Sequence, residues 1–102
     1  QAIQWRLVDM HIDIEALRSM TYATAARADA GIDVRREASI AKYCGGEWGA
    51  RTIDHAIQIH GAMGEALELP LTWFYRLLRH MQIGGGTTEM QRMLIARYIL
   101  KG

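Results

Sequence analysis

No proline occurs before Pro70, and across that stretch small and apolar residues recur at steps of three and four. Proline removes a backbone donor and breaks helices, so its absence over most of the chain permits long ones. Between Gln1 and Ala30 the stripe runs Ile3, Leu7, Met10, Ile14, Leu17, Thr21, Thr24 and Ala28. These intervals trace one narrow face along a helix about 45 Å long at 1.5 Å per residue. Trp5, Val8 and Ile12 widen the face on one side, which points to more than one neighbouring helix. Arg6, Asp9, Asp13, Glu15, Arg18 and Arg27 lie mostly off the stripe, facing water or a partner. Asp9 and Asp13, one turn apart, read as solvated surface carboxylates.

Gly31 supplies the positive φ that suits a helix end, and Asp33 is a plausible N-cap for a second helix over Val34 to His60. Small residues dominate the middle of that helix, where Gly45, Gly46 and Gly49 flank Trp48. Each interior glycine costs about 1 kcal/mol relative to alanine, so three of them need a reason. Close helix–helix approach with Trp48 filling the adjacent space is favoured; a ligand against bare backbone is the alternative. Gly61 and Gly64 end this helix, and Glu65 to Leu69 form a connector. Pro70 suits the first turn of a third helix, with Leu71, Phe74, Tyr75 and Leu78 on its apolar face. The run Gly84-Gly85-Gly86 stops it. Thr88 and Gln91 have capping-box spacing for a fourth helix that packs Met90, Met93, Leu94, Ile95 and Tyr98 inward. The expected fold is all-α, a four-helix bundle of two long antiparallel helices plus two shorter ones.

At 102 residues the chain suffices for one domain but not for a complete large enzyme. Twelve basic and eleven acidic side chains leave a net charge of +1, with no basic run to hold nucleic acid or a membrane surface. No apolar run is long enough to span a bilayer. The single cysteine suits a reducing compartment, the cytoplasm or, in a eukaryote, the mitochondrial matrix. The chain opens at Gln1 without an initiator methionine or signal peptide, and reads as an internal piece of something longer. His55 and His60 are five apart with no acidic ligand set, and His11 and His80 are isolated, so no metal site is expected. Cys44 has no neighbouring His or Cys and reads as a buried inert thiol.

Two places carry more. Gln58-Ile59-His60-Gly61-Ala62-Met63-Gly64 is a helix end opening into glycines, where a flat or phosphorylated ligand can approach backbone. Gly84-Gly85-Gly86-Thr87-Thr88 is a glycine loop entering a capped helix, where free N–H groups and the helix dipole suit an anion. Each, taken alone, is more often a turn than a site.

In order and spacing, Ala56 to Gly64, Pro70 with Arg76, Gln82 to Arg92, and Ala96-Arg97 resemble the C-terminal helical domain of the acyl-CoA dehydrogenases. That family shows a Gln-x-x-Gly-Gly-x-Gly helix end, a proline-led helix and a Gln-Ile-x-Glu-Gly-Thr-Ser loop followed by Gln-Arg. Gln1-Ala2-Ile3 is similar to the start of that domain's first helix, so the resemblance covers residues 1–102. It implies the C-terminal domain of a longer FAD flavoprotein, an oxidoreductase of fatty acid metabolism that desaturates an acyl-CoA thioester. A carboxylate removes the α-proton while the β-hydrogen leaves as hydride to flavin N5. The resemblance also implies a homotetramer and an electron-transfer flavoprotein or similar acceptor. By motif match, Gln58, Ile59, His60, Gly61 and Ala62 contact the FAD of a neighbouring subunit, with Gln1 nearby. Thr87, Thr88 and Glu89 contact FAD through the helix N-terminus, and Gly86 lies beside the acyl-CoA. Three departures stand out: Ala62 replaces the second glycine, Leu77 replaces a common aspartate, and Gly85 occupies the position of the catalytic glutamate found in many members. No catalytic residue is therefore assigned within the chain, and the base is expected upstream. The alternatives are a non-catalytic helical interaction module and an inactive subunit of a hetero-oligomeric dehydrogenase.

Overall fold

The computed structural model describes residues 1–101. Five helices follow one another: α1 (Ala2–Asp29), α2 (Arg35–His60), α3 (Ala62–Glu65), α4 (Leu71–His80) and α5 (Thr88–Leu100), with no strand among the described residues. The two long and two shorter helices are those the periodicity and the glycine breaks predict. The fifth, α3, is a single turn at the start of the expected connector. It forms because Gly64 folds back on α2, where a Cβ would come within 2.5 Å of the Ile57 carbonyl oxygen.

α1 runs unbroken and ends at Gly31, whose φ is +77°. Its last turn closes through Gly31 N–H to the Ala28 carbonyl (2.9 Å) and Ile32 N–H to the Arg27 carbonyl (3.0 Å). Asp33 works one residue further out than predicted. α2 begins at Arg35 with Val34 at the cap, and the Asp33 carboxylate accepts the Arg35 N–H at 3.1 Å. The same carboxylate grips the Arg35 guanidinium, which holds its pKa down at about 2.

The axis of the molecule is α2, which touches every other helix, while α1 makes its helix contacts with α2 alone. Arg6 meets His55 and Asp13 meets Arg51, so α1 runs antiparallel to α2. Gly46 faces Gln82 and Gly49 faces Leu78, and Tyr43 meets Arg92, so α4 and α5 are antiparallel to α2 as well. The small residues of α2 are there for close approach. A Cβ on Gly49 would lie 2.9 Å from Leu78 Cδ2, and one on Gly46 would lie 3.1 Å from Gln82 Cγ.

Asp13 departs from the surface reading. It is buried, and the Arg51 guanidinium grips it in a fork, Nε to Oδ2 at 2.8 Å and Nη2 to Oδ1 at 2.6 Å. A carboxylate that faces a neighbouring helix is stable there only with such a partner. Asp9 stays exposed.

The core is thin. Among the described residues, Cys44 and Ile53 are its buried apolar side chains, and no side chain is buried completely. The α1 stripe is only partly covered: Met10, Leu17 and Thr24 are half-buried, whereas Ile3, Leu7 and Ile14 stay exposed, and beside the stripe Trp5 is 62% exposed and Ile12 57%. These exposed apolar side chains lie on an elongated body (48 × 25 × 25 Å).

The α1–α2 ion pair gives an asymmetric prediction. Asp13 is held inside, whereas the Arg51 side chain is half exposed and can relax into water. Arg51→Met should therefore destabilise by about 2–3 kcal/mol, because it strands a buried charge. Asp13→Asn should destabilise by no more than about 1 kcal/mol, since the freed guanidinium rehydrates. Urea unfolding of the two variants checks the order, and equal losses would contradict it.

Candidate functional site

The first edge is the C-terminal end of α2. Gly61 sits at φ +60°, ψ −140°, a conformation open in practice to glycine alone. A Cβ there would meet nothing within 4 Å, so the backbone is bare to one side. Gln58, His60, Gly61 and Ala62 are exposed and Ile59 is half-buried. The His60 ring packs back on its own helix, Nδ1 lying 2.8 Å from the Ala56 carbonyl. Gln1, at the head of α1, reaches the same end, because the register that pairs Arg6 with His55 sets it level with His60.

The second edge is the loop from Met81 to Thr87. α4 ends at His80, and three tight turns carry the chain through Ile83 and Gly84, whose N–H groups share the His80 carbonyl at 2.8 Å each. Gly85 and Gly86 follow at φ +68° and +102°. The cap of α5 is Thr87, not Thr88: its hydroxyl accepts the Met90 N–H at 3.1 Å. Thr88 is buried instead, donating its N–H (3.0 Å) and hydroxyl (3.2 Å) to the Gln82 carbonyl. The expected capping partner Gln91 is buried too, and its amide turns to the Gly86 carbonyl at 3.5 Å. The cap thus moves to Thr87 and forms without a box, Met90 standing three residues on, because packing against Gln82 draws Thr88 inward.

Three side chains to which the sequence assigned no role, two of them within the Gln82–Arg92 motif, hold this loop to α2. Gln82 donates its amide to the Gly46 carbonyl at 3.2 Å. Lys42 donates to the Met81 and Gly86 carbonyls. Arg92 donates to the Tyr43 hydroxyl at 2.7 Å and lies 5.1 Å from that ring's centre, which fixes the first turn of α5. The Lys42 and Gln82 contacts span 36 residues or more, so no local pattern announces them.

Among the described residues, the N–H groups of Gly85, Gly86, Thr87 and Glu89 have no acceptor within the chain. They cluster at the positive end of a thirteen-residue helix, with Glu89 exposed beside them. The edge can therefore dock acceptor-rich groups, such as a phosphate or the carbonyl edge of a heterocycle. It offers no proton acceptor at Gly85.

The structure does not bring the two edges together. Gly46 lies opposite the loop and His60 ends the helix, so they are about 20 Å apart along α2 at 1.5 Å per residue. Cys44, which lies on α2 between Lys42 and Gly46, is buried, and burial pushes its thiol up, which keeps it inert. No group of three or more His, Cys, Asp or Glu side chains converges among the described residues, and none of their helices is long and apolar enough to cross a membrane.

A family described as the acyl-CoA dehydrogenase C-terminal domain matches residues 1–100. A probable acyl-CoA dehydrogenase of Bacillus subtilis, YngJ, is 40% identical over 101 residues, which is 99% of this chain and 27% of the relative. The solved butyryl-CoA dehydrogenase of Megasphaera elsdenii superposes with a TM-score of 0.94 at 33% identity, covering 98% of this chain and 26% of that one. A FAD complex of PigA superposes at 0.94 and 28% identity over 100% of this chain and 27% of that one. The chain thus spans about a quarter of the length of the proteins it matches.

The loop geometry gives a further prediction. A Cβ on Gly85 would have room, its nearest neighbour being Lys42 Cε at 3.6 Å, so only the backbone opposes it. Gly85→Ala should destabilise by about 1–2 kcal/mol, the left-handed penalty of an L-residue. Thr87→Ala, which removes the cap, should lose about 1 kcal/mol. Denaturant unfolding tests the pair, and a neutral Gly85→Ala would mean that the loop is not fixed at this φ.

Proposed function

The chain belongs to the acyl-CoA dehydrogenase family, matching its C-terminal domain, and from that premise we propose that it is the C-terminal helical domain of a longer FAD-dependent acyl-CoA dehydrogenase. The supporting observation is the coincidence of two readings. The largely exposed stretch Gln58–Ala62 and the loop Gly86–Glu89, with its free backbone donors, are the places where the resemblance puts FAD (Gln58 to Ala62, Thr87, Thr88 and Glu89) and acyl-CoA (Gly86).

The residues fit the group. Free N–H groups at Gly86, Thr87 and Glu89 suit acceptor atoms of a flavin, and Gly86 carries no side chain to keep a thioester away. At the other edge, Gln58 and the open face of Gly61 suit the FAD of a neighbouring copy, with Ile59, His60, Ala62 and Gln1 around it. Thr88 belongs to this set as a support, since its side chain is turned inward to Gln82. When bound, FAD supplies the acceptor for the β-hydrogen. The chain's own residues orient the substrate and exclude water; the α-proton needs a carboxylate from outside these residues. The basic group nearest to Gly85 is Lys42, whose protons are donated to two carbonyls.

The partly covered stripe of α1 fits a shared interior between copies, so a homotetramer is proposed, with an electron-transfer flavoprotein or similar protein as acceptor. The proposed location is the cytoplasm, or the mitochondrial matrix in a eukaryote. Gly85 favours a second reading, an inactive subunit of a hetero-oligomeric dehydrogenase, since no carboxylate is placed there.

Intact protein decides between them. On the first reading it purifies with FAD and its flavin absorbance bleaches on anaerobic addition of an acyl-CoA. FAD bound but never bleached by short-, medium-, long- or branched-chain thioesters supports the inactive subunit. Failure to bind FAD at all overturns the flavoprotein reading. In the same preparation, light scattering at micromolar concentration should report four copies, and a monomer would overturn the assembly.

A further inference from the structure

The Lys42 ammonium comes from the middle of α2 and reaches the two ends of the glycine loop, donating to the Met81 carbonyl and, at 3.4 Å, to the Gly86 carbonyl. Between those ends stand Gln82, which is itself tied to Gly46, then Ile83, Gly84 and Gly85, and the glycines have no side chain of their own to resist rotation of their peptide planes. A peptide unit is planar and trans, so the Gly86 carbonyl and the Thr87 N–H point in opposite directions. Drawing that carbonyl inward, onto Lys42 and the Gln91 amide, turns the Thr87 N–H away from them. The free donors beside Thr87 therefore depend on a charge held on another helix.

We infer that Lys42 is a positioning residue for the cofactor edge: by tying the Met81 and Gly86 carbonyls to α2 it holds the Gly85–Thr87 N–H groups in the orientation that receives FAD. The inference rests on the flavoprotein reading above for its ligand, and on the hydrogen bonds alone for the tie. Gln91 donates to the same Gly86 carbonyl at 3.5 Å, but as a neutral amide it attracts the carbonyl less than an ammonium does.

The test compares intact wild type with Lys42→Met, Lys42→Gln and Lys42→Arg. Hydrogen–deuterium exchange over Met81–Thr88, with flavin stripped, reads the amides of Ile83, Gly84 and Thr88, which the loop normally protects. Removing the charge with methionine or glutamine should speed their exchange tenfold or more while Cys44–Ile53 stays unchanged. FAD affinity, by flavin fluorescence titration, should fall at least tenfold in the same two variants. Lys42→Arg, which keeps the charge and reach, should recover to within threefold in each measurement. Unchanged exchange in methionine and glutamine variants that fold overturns the tie. Faster exchange with undiminished FAD affinity overturns the positioning role. If wild type binds no FAD while the variants still loosen the loop, the tie stands and the functional reading fails.

Discussion

Everything at the loop edge depends on how closely α4 lies against α2. Gly49 and Gly46 leave out the side chains that would hold the helices apart, so Leu78 and then Gln82 settle onto the α2 backbone. Only at that spacing does the Gln82 amide reach the Gly46 carbonyl. Gln82 then offers its own carbonyl to Thr88, which sets where α5 begins. Lys42, one turn earlier on α2, falls within reach of Met81 and Gly86, and Arg92 meets Tyr43. The roughly 1 kcal/mol that each glycine costs α2 is offset by the contacts made through the gap. A methyl group at Gly49 would lie 2.9 Å from Leu78 Cδ2, so the end of the Leu78 side chain would have to shift.

The sequence was most legible where the determinants are local. The stripe, the proline-free run and the breaks at Gly31, Gly61 and Gly84–Gly86 locate the four principal helices, because periodicity and positive φ are properties of a few neighbouring residues. It was least legible where a residue's fate is settled by a distant partner. Asp13 and Asp9 look alike on one helix, yet Arg51, 38 residues away, makes one a buried ion-pair partner and leaves the other in water. Thr87 and Thr88 each have a backbone N–H three residues further on that would serve, and only the approach of Gln82 selects which hydroxyl caps α5. Lys42 gives no signal at all, since a lysine in mid-helix is ordinarily a solvated one. The family resemblance names the same two edges but says nothing of what holds them.

The separation of those edges and the thinness of the core are two aspects of one geometry. Four helices pack against α2 and only α2 packs against α1, so α1 keeps Trp5, Val8 and Ile12 exposed. A rigid rod with one edge at its end and another in its middle cannot close both around the same part of a small ligand. It can serve as a wall between two sites. Under the proposed reading, each FAD meets the loop edge of one copy and the helix end of another, and the uncovered stripe is the surface that brings the copies together.

Gly85 completes the physical picture. At φ +68° the position tolerates glycine best, and Lys42 Cε lies 3.6 Å from where a side chain would start. A carboxylate placed there would bear backbone strain and stand beside an ammonium, which favours its ionised form and weakens it as a base. The loop is thus arranged to present backbone donors beside a positive charge, which suits acceptor atoms rather than the taking of a proton. Under the proposed reading, proton abstraction falls to a carboxylate on an element outside these residues. That element need not share the strain at Gly85 or the charge at Lys42, and so the two tasks can reside on separate parts of the protein.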